Sequence, residues 1–134
     1  MHRRLAALGE GAAAFQDELF GDGVHLLEAR WIVPHTEVSA RAATPEELRR
    51  LRAAMPTGFA PEGLDPTRCV EVRVDGKPFA LFAFAATLGF ELSVDETDVS
   101  PGYAERVPAR AIALRCAGQV PARIWTAVLV LPRE

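Results

Sequence analysis

Apolar residues at Leu5, Leu8, Ala12, Phe15 and Leu19 recur at alternating steps of three and four along the first twenty positions. That rhythm is a narrow helical stripe, and it predicts a helix over residues 3–20. Gly9 and Gly11 interrupt the stripe, each weakening a helix by about 1 kcal/mol relative to alanine. A helix so weakened needs a surface to lie against. The five stripe residues are therefore a candidate interaction seam, docking on the chain's own body or on another chain. Gly21 and Gly23 end the segment.

The pattern then changes period. Residues 24–33 alternate, with His25, Leu27, Ala29, Trp31 and Val33 on one face and Leu26, Glu28, Arg30 and Ile32 on the other. The second, mixed face predicts a strand with one side partly wet. "TPEELRRLRAAMPTG" reads as a capped helix. Thr44 is the N-cap, Pro45 takes the first helical position, and Glu47 closes a capping box. Leu48, Leu51 and Met55 share one face, Glu46 stands four residues before Arg50, and Pro56 and Gly58 stop the helix. Arg49, Arg50 and Arg52 read as a solvated helix face, flanked as they are by two glutamates.

Residues 59–68 read as a loop. "CVEVRVDGKPFALFAFAA" predicts a β-hairpin, because Asp75-Gly76 suits a two-residue turn that needs positive φ at both centres. Its second arm is apolar on both faces, as a central strand should be, and Pro78 falls near that arm's start, where a missing N–H is tolerated. The segment "ELSVDETDVSPGY" carries an acidic patch of Glu91, Asp95, Glu96 and Asp98, read as a solvated loop or a contact surface for a basic partner. It fails as a calcium loop, since Thr97, Val99 and Ser100 occupy positions that require oxygen donors and a glycine. The chain closes on "ARIWTAVLVLP", an apolar β-branched strand.

Residues 108–117 are ambiguous. Pro108 and Gly118 suit the two ends of a helix. Yet "VPARAIAL" is echoed by "VPARIWTAVL" at 120–129, which favours a strand, hairpinned to the last strand through Ala117-Gly118. Together these elements predict a single α+β domain over residues 1–134. It has an N-terminal docking helix at 1–20 and a body at 24–134. The body holds a mostly antiparallel sheet of about five strands, with the helices, including the one at 45–55, packed on one face.

Composition adds limits. The chain has 134 residues, is 49% hydrophobic and 25% charged, and has a net charge of −3. That balance fits a globular domain and gives no electrostatic reason to bind nucleic acid. Lys77 is the sole lysine and asparagine is missing, as a GC-rich bacterial coding sequence produces. Cys69 and Cys116 fit no metal spacing and read as reduced core thiols. "MHRRLAALGEGAAAF" is a poor signal peptide, because Glu10 breaks the apolar run. The longest apolar run, residues 80–90, is too short to cross a bilayer. The expected location is the cytoplasm, or a particle assembled there, with no membrane partner.

Two family resemblances are present. "VSPGYAERVPARAI" resembles the acetyl-coenzyme A binding motif of GNAT-type acyltransferases, and "SARAATPEELRRLR" looks like the first strand and helix of that family. The likeness spans about residues 38–131. It implies a coenzyme A turn at Tyr103, Arg106, Val107 and Arg110, followed by a helix at 108–117. That turn normally relies on glycines to bring bare amides to a pyrophosphate. Here its positions fall on Glu105, Val107 and Ala109, and Pro108 removes a further donor. A fainter similarity links "VDETDVSPGYAERVPARAIAL" to γ-glutamylcyclotransferases, without that family's Y-G-S loop.

Other chemistries find little footing. His25 and His35, about 33 Å apart on an extended strand, cannot share a metal without a bend. No nucleophile elbow, catalytic-cysteine signature, P-loop or dinucleotide fingerprint is present. Glu28 and Glu37 near His35 are an acid/base pair in sequence only. Trp31, Phe82, Phe84 and Trp125 read as core. The expectation is a non-catalytic interaction or assembly subunit without cofactor or metal. It would bind other protein chains or copies of itself within an oligomeric machine or phage-like particle. The alternative is a degenerate acyltransferase.

Overall fold

A computed structural model describes residues 2–9, 11–34, 37–53, 64–100, 102 and 106–132. Strands β1 (His2–Gly9), β2 (Ala12–Leu19), β3 (Val24–Pro34) and β4 (Glu37–Arg41) precede a helix, α1 (Pro45–Ala53). Strands β5 (Cys69–Val74), β6 (Lys77–Ala86), β7 (Phe90–Val99), β8 (Val107–Gln119) and β9 (Ala122–Val130) follow. They form a six-stranded sheet, ordered β1-β2-β9-β6-β5-β4, and a three-stranded sheet, ordered β3-β8-β7. Every pairing is antiparallel. Among the described residues the molecule is mostly strand with a single short helix, so the α+β expectation is corrected to a two-sheet β architecture.

The N-terminal helix is the largest correction. Residues 2–19 fold as a hairpin whose register runs from His2↔Leu19 to Gly9↔Ala12, with Gly11 at a φ of 71° in the turn. The reason is long-range. In this register Arg4 faces Asp17 and Arg3 faces Glu18, while β2 is held between β1 and β9. Alanine's local helix preference is weak against ladder pairing and burial, which set strand formation from context.

The core is built in two layers. One side of the six-stranded sheet presents Val70, Val72, Phe82, Phe84 and Ile124 to Leu27, Ala29, Ile112, Leu114 and Cys116 of the smaller sheet. Its other side carries Ala14, Leu81, Ala83, Ala127 and Leu129 beneath Leu51 and Leu48 of α1 and Leu64. Trp31 Nε1 donates to Thr126 Oγ1 at 3.3 Å, joining the two sheets. The helix thus covers one face while a second sheet covers the other, in place of helices alone on one face.

The capped helix starts as the sequence predicts. The Glu47 amide donates to Thr44 Oγ1 at 3.1 Å, and the Thr44 amide donates to Glu47 Oε1 at 2.9 Å. Glu46 pairs with Arg49 rather than Arg50, at 2.9 Å. Met55, Pro56 and Gly58 lie outside the described residues. Arg41 donates both guanidinium nitrogens to Glu47, at 2.7 and 2.8 Å. That hydrogen bonding, with the Thr44 amide, outweighs partial burial and lowers the Glu47 pKa to about 2. A depressed carboxylate pKa stabilises the fold above the unfolded value, and the gain is lost as pH falls through the folded one. Glu47→Gln should therefore cost on the order of 1–2 kcal/mol at neutral pH. Urea melts of the variant and the unmodified chain should converge between roughly pH 4.5 and pH 2.

The β5–β6 hairpin turns at Asp75 and Gly76, with φ of 53° and 74° as the expected turn requires. Pro78 sits beside a register shift between Val72 and Arg73. The acidic segment, expected as a loop, is strand β7. Glu91 and Asp95 fall on one face and Glu96 and Asp98 on the other, with Glu91 opposite Arg115 and Glu96 opposite Arg110 across the ladder. Residues 107–119 are a strand, but not the expected hairpin with the last one. β8 pairs with β3 and β7, while β9 lies in the other sheet between β2 and β6. Ala117 and Gly118 lie inside β8, not in a turn. A Cβ on Gly118 would come within 2.8 Å of both Leu88 methyls, so the glycine serves close packing.

Candidate functional site

The five residues of the expected seam are divided by the pleat. Leu5, opposite Gln16, and Ala12 face the α1 side of the large sheet; Leu8, Phe15 and Leu19 face the small sheet's side. Ala12 is buried, and Phe15 stacks on Trp31 with centroids 4.9 Å apart. Only Leu5 and Leu8 are left outward, and Leu8 is 84% exposed. The seam is thus not one surface, and the strand that carries its outward half is an edge.

The same hairpin holds a polar ladder that the apolar stripe concealed. Gln16, Asp17 and Glu18 are consecutive and buried. Arg4 grips Asp17 through Nε to Oδ1 at 2.7 Å and Nη2 to Oδ2 at 3.2 Å, and His2 Nε2 lies 2.8 Å from Oδ1. Arg3 donates to Glu18 at 2.7 Å, and Trp125 Nε1 donates to Gln16 Oε1 at 2.9 Å. The Arg4 guanidinium also lies 4.8 Å from the Trp31 ring. The signal was present in "HRR" and "QDE", opposite charges in reversed order around a glycine turn.

The acidic patch is dispersed along β7. Asp95 is bound by Arg115 at 2.7 Å, and that hydrogen bond lowers its pKa. Arg115 also reaches Glu28 Oε2 at 2.8 Å and Ser93 at 2.6 Å. Glu96 and Asp98, with Glu37, Asp75, Arg73 and Arg110, line a polar groove of about 540 Å³. Arg110 pairs with Glu96 at 2.9 Å and Arg106 stands 3.9 Å from Asp98.

Those pairs bear on the coenzyme A turn. Val107 and Arg110 lie in β8, and Tyr103 and Glu105 lie outside the described residues. The helix expected at 108–117, whose N-terminus the acyltransferase motif needs, is a strand. His25 Nε2 contacts the Asp22 carbonyl at 2.8 Å, and His35 lies outside the described residues. Both cysteines are free and buried, and burial raises the Cys69 thiol pKa to about 11. No group of three or more metal-ligating side chains occurs among the described residues.

The most distinctive surface is at the sheet edges. β1 and β4 end the large sheet, and β3 and β7 end the small one. Seven of the eight β1 residues are exposed. On β3, Val24 is 75%, Leu26 90% and Ile32 48% exposed. An open groove of about 710 Å³ beside β3 is lined by Leu26, Leu27, Phe90 and Ala117, with Glu28 and Arg115 at its rim.

No protein-family model, curated protein or solved structure matches this chain. Its geometry is therefore what bears on function. Among the described residues no helix is long and apolar enough to cross a membrane.

Proposed function

We propose that this chain is a non-catalytic assembly subunit that binds other protein chains by accepting strands at its free sheet edges. The observation that carries the reading is β1, an edge strand exposed on both faces with Leu8 almost bare. Edge strands offer a row of N–H and C=O groups to an incoming strand, and proteins ordinarily shorten, bulge or cover them. β1 pairs over all eight residues on one side without a register shift. β3 is longer still and bears leucine and isoleucine outward. Pairing at such an edge supplies backbone hydrogen bonds, while outward side chains supply selectivity. Fully burying one leucine adds about 1.5–3 kcal/mol.

The test is sedimentation of the pure chain over a concentration series, combined with amide exchange. The expected result is a mass above that of one chain, rising with concentration, and slowed exchange at β1 or β3. A single-chain mass throughout, with the outward amides of β1 and β3 exchanging freely, overturns the reading.

A further inference from the structure

We infer that the outer edge of β3, which no other described strand pairs, is occupied by β3 of a second copy of this chain, antiparallel and centred on Ala29. This deepens the assembly reading and rests on it. Antiparallel strands related by a two-fold axis keep each residue on the same sheet face as its opposite number, because the axis stands perpendicular to the sheet. Centring on Ala29 then sets Glu28 opposite Arg30 of the partner copy, and Arg30 opposite its Glu28. Leu26 comes opposite Ile32 twice over in the same way. All four side chains lie on the face of the small sheet turned away from the core, the face opposite Leu27 and Ala29.

The register is discriminating. Centring one pair earlier opposes Glu28 to Glu28, and one pair later opposes Arg30 to Arg30. Like charges directly across a ladder repel, whereas opposite charges and apolar pairs attract. Only the Ala29 register matches charge to charge and also covers Leu26, which is 90% exposed, against Ile32, which is 48% exposed. Glu28 is already oriented, since Arg115 holds one oxygen at 2.8 Å and Arg30 stands 3.8 Å from the other. The small sheet would become six-stranded, with β7 of each copy at its ends.

The experiment uses the full chain and two single charge reversals, Glu28→Arg and Arg30→Glu. Circular dichroism and thermal melts confirm that each is folded, and Arg30→Glu, which leaves the Arg115 contact intact, serves should Glu28→Arg fail to fold. Each folded variant alone should self-associate roughly tenfold more weakly or worse. An equal mixture of the two should recover the dimer mass, because each reversed charge then faces its opposite. Leu8→Lys, on the other edge, should leave the dimer intact. Folded Arg30→Glu that still dimerises, or a mixture of folded variants that stays at single-chain mass, overturns the inference. Loss of the dimer on Leu8→Lys alone also overturns it while leaving the assembly reading standing at β1. A single-chain mass for the unmodified protein overturns the inference, and overturns the assembly reading with it when the outward amides of β1 and β3 also exchange freely.

Discussion

Phe84→Ala should destabilise the protein by about 3–5 kcal/mol, lowering the melting temperature by roughly 10–15 °C. Phe84 is completely buried and is the largest side chain to be so. It lies on β6, opposite Thr126 of β9, in the layer between the two sheets. Its ring lies 6.4 Å from that of Phe82, which in turn meets Trp31 of the other sheet at 6.1 Å. Removing the ring loses the transfer free energy of its carbons and leaves a cavity that two hydrogen-bonded sheets cannot close. Typical domains have only about 5–15 kcal/mol of total stability, so much of the margin goes. Phe84→Leu retains most of the apolar volume and should cost about 1–2 kcal/mol. Urea unfolding at constant slope measures both. A loss below about 1 kcal/mol for Phe84→Ala would show that this ring is not enclosed between sheets.

Phe84 was legible as core from its double-sided apolar strand, and so were the capping box of α1 and the turn at Asp75-Gly76. Each of those signals is local: the cap forms with both of its reciprocal hydrogen bonds, and the turn forms with positive φ at both residues. What escaped was pairing between distant segments. Leu5, Leu8, Ala12, Phe15 and Leu19 fit a helical period, and their alanine-rich surroundings favour a helix locally. They form strands because β2 is claimed by β9, more than a hundred residues later in the chain. The same holds for Val107–Leu114, whose likeness to Val120–Leu129 suggested a hairpin. Two similar apolar strands can pair with each other or face each other across a core, and sequence resemblance does not distinguish these. The free edges were invisible for a related reason. An edge is defined by which described strand stands last, and only the sheet order reveals it. Leu26, Glu28, Arg30 and Ile32 could be read as the partly wet face of a strand, but not as its boundary.

Arg4→Ala should cost more than Asp17→Ala, although the two side chains share one ion pair. The Asp17 carboxylate is buried, with 5% of its side chain exposed, whereas Arg4 keeps 43% of its own in solvent. Deleting Arg4 leaves the buried Asp17 side chain inside the sheet with His2 as its remaining partner among the described residues. A buried charge stripped of its main partner costs about 3–5 kcal/mol, and the half-open site lowers this to roughly 2–4. The guanidinium's contact with Trp31, 4.8 Å away, is lost as well. Deleting Asp17 removes the charge that needed compensation and lets Arg4 hydrate, for about 1 kcal/mol. The double variant should then resemble Asp17→Ala alone, so the coupling in a double-mutant cycle read by urea unfolding equals the Arg4→Ala cost, about 2–4 kcal/mol. Arg4→Lys should recover only part of the loss, since a point charge cannot donate two aligned bonds. If Asp17→Ala proves as costly as Arg4→Ala, the carboxylate is not the desolvated partner and the β1–β2 register is wrong. The asymmetry also separates two roles of β1: its charged half fastens it to β2 through Arg3 and Arg4, and its apolar half leaves Leu8 outward.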